Sequence, residues 1–219
     1  MYDNENLYNS KVDSLYIPLY KLGDGVSADV LFSIEFKNFI NNIKLNKVDI
    51  DYKALKIFYS VDTKEFKREI NITNILKLNN KSSNNINYPL THFNSIDDEF
   101  YENNIIVYDV CMCSLYDLYT NTDLTEECVN ECIIQMKNAV KFIHDCGYIH
   151  TDIKLENFLI CGFTKKQLEI KKFVENYNFK NLFNFKINKK TEVHVILDKT
   201  NKFLNNFRDL VCSKLNIIK

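Results

Sequence analysis

No run of about eighteen consecutive apolar residues occurs in the 219-residue chain, which excludes a helix that crosses a membrane. The start, Met1 to Ser14, is polar and asparagine-rich and lacks the basic and apolar segments of a secretory leader. Neither sign of charge is in excess: 28 Lys and Arg stand against 29 Asp and Glu. That balance excludes a nucleic acid or a membrane surface as a partner drawn by bulk charge, so any phosphate must be bound locally. No CxxC pair occurs among Cys111, Cys113, Cys128, Cys132, Cys146, Cys161 and Cys212, and the number is odd. A disulfide framework is therefore not expected, and a reduced, intracellular, cytoplasmic setting is. The cluster His144, Cys146, His150 matches no common zinc spacing.

What is present begins with length: the chain can form one large domain or two small lobes and can bury a substantial core. Tyr16 to Leu22 alternates loosely as a strand and runs into Leu22-Gly23-Asp24-Gly25-Val26-Ser27-Ala28-Asp29-Val30. A Gly-x-Gly turn lets backbone N–H groups approach phosphate oxygens, where a Cβ would hold them off, but it also serves in ordinary hairpins. Two apolar runs follow, Val30 to Phe36 and Phe39 to Leu45, and read as an insertion or a long hairpin.

In Lys53-Ala54-Leu55-Lys56-Ile57-Phe58 the alternation puts Lys56 on one face with Ala54 and Phe58. Asp62-Thr63-Lys64-Glu65 offers an N-cap for a helix through Phe66 and Ile70 to about Leu78, with Glu69 near its inward stripe and Glu65 as the competing acid. Asn79 to Asn87 reads as a loop without functional signal. Ile105 to Cys111 reads as a buried strand, and a short helix starts at Ser114. From Thr125, Val129, Cys132, Ile133, Met136, Ala139, Val140 and Ile143 recur at three- and four-residue intervals as an amphipathic core helix.

That helix leads into His150-Thr151-Asp152-Ile153-Lys154-Leu155-Glu156-Asn157, a polar run closed by Phe158-Leu159-Ile160. The order His-x-Asp-x-Lys-x-x-Asn resembles the catalytic loop of protein kinases. The resemblance implies an α+β, protein kinase-like two-lobe fold over residues 16 to about 160, with ATP between the lobes and Mg2+ as second cofactor. It divides the chain into a flexible N-terminus 1–15, an N-lobe 16–110 and a partial C-lobe 111–219. Asp152 would accept the proton of a substrate hydroxyl, and Lys154 would lie against the transferred phosphate. A lysine at that place is the serine/threonine pattern. Asn157 would ligate the metal, and His150 would brace the loop.

The same resemblance implies nucleotide contacts from Leu22, Gly23, Asp24, Gly25, Val26, Ser27, Ala28 and Val30, with Ala28 in the third glycine's place. Further contacts would come from Ala54, Lys56, its helix partner Glu69, the hinge residues Asp109 and Cys111, and Leu159. Thr151 replaces the usual arginine, which leaves control by activation-loop phosphorylation unsupported. Where the family carries Asp-Phe-Gly, the chain has Lys172-Phe173-Val174. Asp198, closing the β-rich run from Glu192, is the preferred second metal ligand if 162–190 is an insertion. The residues after Asp198 are too few for the rest of a large lobe, so an incomplete C-lobe is expected. It implies either a shortened kinase acting on a protein substrate, similar to small kinases of large DNA viruses, or a chain completed by a partner. A catalytically inactive decoy or scaffold that binds other kinases is the reading from another class.

Overall fold

The computed structural model describes residues 6–59, 64–79, 86–96, 102–184, 187 and 190–217. Its chain contacts divide into two compact units. The first takes Met1–Thr63, Leu90–Tyr108 and Lys165–Lys219; the second takes Lys64–Pro89 and Asp109–Thr164. The change of unit between Tyr108 and Asp109 falls next to the expected boundary at 110. Residues 165–217, however, expected in the C-lobe, belong with the first unit.

The first unit is built on strands β1 (Leu7–Asn9), β2 (Ser14–Asp24), β3 (Ala28–Phe36), β4 (Ile50–Phe58), β5 (Thr91–Ile96) and β6 (Glu102–Asp109), in the order β1-β2-β3-β4-β6-β5. Strand β1 corrects the expectation of a flexible start through residue 15. Leu7 pairs with Tyr16 and Asn9 with Ser14, and Leu7 and Asn9 are buried. Alternation along these strands sends Leu7, Tyr16, Leu31, Leu55, Ile57, Phe93, Ile105 and Val107 into one cluster. Tyr16 and Phe93, from strands at opposite sides of the order, stack at 5.6 Å. The sheet is therefore strongly curled.

Phe39–Lys44, expected as part of an insertion or hairpin, is a helix, α1. Its cap comes from far off in sequence: the backbone N–H of Ile40 donates to Asp13 Oδ1 at 2.9 Å and that of Asn41 to Asp13 Oδ2 at 3.2 Å. Asp13 thereby satisfies N-terminal donors that a helix leaves open.

Helices α5 (Lys165–Glu175) and α6 (Val193–Lys214), with a 3-10 turn at Phe179–Phe183, complete this unit. The β-rich reading of Glu192 to Thr200 is corrected here, because that segment opens α6. Ile196, Thr200, Leu204, Phe207 and Val211 are buried at helical spacing, whereas the short run Val193–Leu197 taken alone resembles a strand. Phe207 lies 6.3 Å from the Phe36 ring and 5.1 Å from that of Phe179. Aromatic burial of this kind contributes about 1.5–3 kcal/mol per side chain. It fastens α6 to the end of β3.

The second unit contains α2 (Lys64–Asn79), β7 (Cys111–Ser114), α3 (Leu115–Asn121), α4 (Glu126–Asp145), a 3-10 turn at Leu155–Asn157 and β8 (Leu159–Cys161). The proposed N-cap Asp62 lies outside the described residues, but α2 runs as expected. At α3 a capping box closes the start, Ser114 Oγ accepting from the Asp117 N–H and Asp117 Oδ2 from the Ser114 N–H. Thr125 Oγ1 caps α4 by accepting from Cys128 N–H at 3.2 Å, with Glu126 and Glu127 in the first turn.

The expected core role of α4 needs correction. Of its stripe only Ala139 is buried, while Val129 and Ile133 are 36% and 40% exposed. The apolar spacing is right, but among the described residues little packs on it.

Candidate active site

Helix α4 ends so as to deliver the chain into the polar run. Gly147, at φ 85°, donates its N–H to His144 O at 2.9 Å, and Tyr148 N–H donates to Ile143 O at 3.1 Å. This paired closure satisfies the last carbonyls and needs a left-handed residue, which glycine adopts without cost from a Cβ. Four residues after Gly147, Thr151 also takes positive φ, 52°, a rare conformation for a β-branched residue. Asp152 N–H donates to His150 O at 2.6 Å across this turn. The strain is local to the residue before Asp152.

Asp152 is then held by its own loop. Asn157 Nδ2 donates to the Asp152 carbonyl at 2.7 Å and to Asp152 Oδ2 at 2.9 Å, and Lys154 Nζ lies 3.1 Å from the same Oδ2. First the Asn157 bond, then Lys154, holds the Asp152 carboxyl below its ordinary value, so it is an ionised acceptor at neutral pH. Both bonds fall on Oδ2, and Oδ1 remains an acceptor. Because Asn157 uses its amide nitrogen this way, its Oδ1 is left as a hard oxygen donor. The side chains of Asp152 and Lys154 are 63% and 50% exposed. His150 has its Nδ1 buried without a hydrogen-bond partner among the described residues.

After the 3-10 turn, Phe158 O accepts from Leu115 N–H at 2.7 Å, and β8 pairs antiparallel with β7. The strand after the loop is thereby joined to the segment expected to be the hinge. Leu159, opposite Ser114, is exposed. Asp109 is exposed and Cys111 half-buried. Asn87, read as plain loop, donates to Asp109 O at 3.3 Å and lies 3.4 Å from Cys111 Sγ. Nothing in the spacing of Asn79 to Asn87 marks it.

In the first unit the glycine-rich segment is the β2–β3 hairpin, with Gly23 opposite Val30 and Asp24 opposite Asp29. Gly25 N–H donates to Ala28 O at 2.9 Å across the Gly25-Val26-Ser27 turn. A Cβ on Gly23 would meet nothing within 4 Å, so internal packing gives no reason for glycine there. Ala28 is buried, Leu22 is exposed and Val26 fully so. Lys56 sits opposite Val30, its Nζ 5.2 Å from the Phe58 ring, with Ala54 and Phe58 buried on the same face as expected. In the second unit Glu69 is half-buried on α2 and its competitor Glu65 is exposed. Lys172 is helical, in α5, and Asp198 is exposed on α6; both belong to the first unit and Asn157 to the second. No described helix is long and apolar enough to cross a membrane.

Comparison with known proteins places these observations. A model of the protein kinase domain matches residues 16–181. The serine/threonine-protein kinase CST20 of Candida albicans is 26% identical over 150 residues, 68% of this chain and 11% of that protein. The dual specificity protein kinase KNS1 of Saccharomyces cerevisiae is 31% identical over 149 residues, 65% of this chain and 18% of that protein. The chain thus spans less than a fifth of the length of these relatives. A crystal structure of a kinase domain superposes with a TM-score of 0.52 at 22% identity, over 74% of this chain and 43% of that one. The α+β fold is kinase-like.

Proposed function

The chain belongs to the protein kinase domain family, and on that premise we propose that it is an ATP-dependent serine/threonine kinase, transferring the γ-phosphate to a protein hydroxyl. The observation that carries this reading is the convergence of Asn157 and Lys154 on one oxygen of Asp152. Asp152 accepts the proton of the incoming hydroxyl. Its ionised state supplies the acceptor, and its two partners fix its orientation, so the nucleophile is positioned rather than strongly deprotonated. Lys154, already at the carboxylate, extends its positive charge to the phosphate in flight. Within the first unit, Lys56 and the backbone N–H groups of Val26 and Ser27 in the hairpin turn are groups of the kind that hold a nucleotide's phosphates.

The donor set fits magnesium at Asn157, whose Oδ1 is free because Nδ2 is engaged on Asp152. When bound, that ion would neutralise phosphate charge. The metal assignment rests on Asn157 alone. A second reading, a kinase-like binding protein without transfer, is favoured by one observation. At the spacing where the family carries its metal-binding aspartate the chain has Lys172, which cannot ligate a cation.

The two readings separate in one assay, transfer of γ-labelled phosphate from ATP to a generic basic protein by wild type and Asp152→Asn. A wild-type rate that falls by about 100-fold or more on substitution supports the kinase, since positioned proton acceptors contribute about 10²–10⁴. Equal, background rates would establish the non-catalytic reading.

A further inference from the structure

Strands β7 and β8 place two cysteines face to face. Cys111 and Cys161 are direct partners in the antiparallel ladder, and a register shift separates Cys111 from Cys113, which opposes Ile160 instead. Directly opposed residues in such a ladder have Cα atoms about 4.5 or about 5.5 Å apart, according to the type of pair. Both separations lie in the range of about 4.4–6.8 Å that a disulfide spans. The other close thiols, Cys128 and Cys132, sit one turn apart on α4, where Cβ atoms are about 5–6 Å apart, further from the disulfide value of about 3.5–4.5 Å than the about 4.5–5.5 Å of directly opposed strand residues. Both ladder thiols are free, Cys161 exposed and Cys111 half-buried.

We propose that Cys111 and Cys161 are a reversible thiol–disulfide modification site that locks β7 to β8 under oxidising conditions. The oxidant is a small disulfide such as oxidised glutathione. The exposed Cys161 thiolate attacks one of its sulfurs; the small disulfide's S–S bond breaks, and one glutathione thiolate leaves and takes up a proton. Cys111 then loses its proton to solvent and attacks the Cys161 sulfur, forming the Cys111–Cys161 bond and expelling the second glutathione. Two protein thiols are oxidised and one small disulfide is reduced to two thiols.

The order of attack follows from the surroundings. Burial, and next the adjacent Cys161, push the Cys111 thiol up to about 11, so it is a poor first nucleophile. Asn87 Nδ2, 3.4 Å from Cys111 Sγ, donates to the sulfur and favours its thiolate at the second step. The bond would tie the strand that follows Asp109 to the strand that leaves the Asp152–Asn157 loop.

The test uses the full chain in glutathione buffers of graded oxidised-to-reduced ratio, with digestion under non-reducing conditions and mass spectrometry. The expected product is a Cys111–Cys161 linked peptide, two hydrogens lighter, that reverts with a dithiol. Cys111→Ala should instead trap Cys161 as its glutathione adduct, with an unchanged circular dichroism spectrum showing that the fold is kept. Three results would overturn the proposal: a persistent Cys161 adduct in the wild type, dominance of Cys128–Cys132 or another pair, or a link that forms only in urea. None of these readouts depends on nucleotide or on phosphate transfer.

Discussion

Asn157 reaches back five residues to bond both the carbonyl oxygen and Oδ2 of Asp152, at 2.7 and 2.9 Å. One amide group thus fixes the backbone and the carboxylate of the proposed base together, and directs its own oxygen to other use.

A pH titration reads this directly. Asp152 has its folded value depressed, so its contribution to stability is present above the ordinary carboxylate value, about 3.9, and is lost as pH falls through the lower folded value. Carboxyl NMR should place its midpoint below about 3.9. Asn157→Ala should raise it, and Lys154→Met should raise it less. A midpoint at the ordinary value in the wild type would contradict the geometry.

Packing of α6 on the sheet gives a second test. Phe207 is 1% exposed and contacts the rings of Phe36, Tyr177 and Phe179. Phe207→Ala should cost about 3–5 kcal/mol in denaturant unfolding of the first unit. A cost under about 1 kcal/mol would mean that 165–217 does not pack there.

Asp13 caps α1 through three N–H donors, those of Ile40 and Asn41 in the backbone and Asn41 Nδ2 in the side chain. Asp13→Ala should destabilise by about 1–2 kcal/mol. Asp13→Asn, which keeps an acceptor oxygen, should recover part of that loss; equal losses in both would argue against the cap.

Gly147 ends α4 at φ 85°. Gly147→Ala forces a Cβ into the left-handed region and should cost about 1–2 kcal/mol. Gly147→Asn should cost less, since asparagine tolerates that conformation. Denaturant midpoints of the two variants check the order.

Legibility from sequence followed the range of the forces involved. Helices α2 and α4 and the His150–Asn157 run are set by local spacing, and they stand where the spacing puts them. Helix α1 was hidden because its cap, Asp13, comes from before β2. Strand β1 was hidden because three polar and apolar residues become a strand only by pairing with Ser14–Tyr16. The first turns of α6 look β-like until its stripe is followed to Val211, and the return of that helix to Phe36 depends on contacts remote in sequence. In the His150–Asn157 loop the residue types were readable. Their mutual bonds were not, because these depend on the positive φ of Thr151 and the 3-10 turn at Leu155–Asn157.

The central claim is that the Asp152–Lys154–Asn157 loop meets the phosphates of ATP. An acyl-phosphate derivative of ATP, which acylates lysines beside its phosphates, followed by peptide mapping, tests it most directly. The account predicts that Lys154 is labelled and that excess ATP with magnesium prevents the labelling. Label spread over exposed lysines such as Lys141, with Lys154 unlabelled or unprotected, would contradict it.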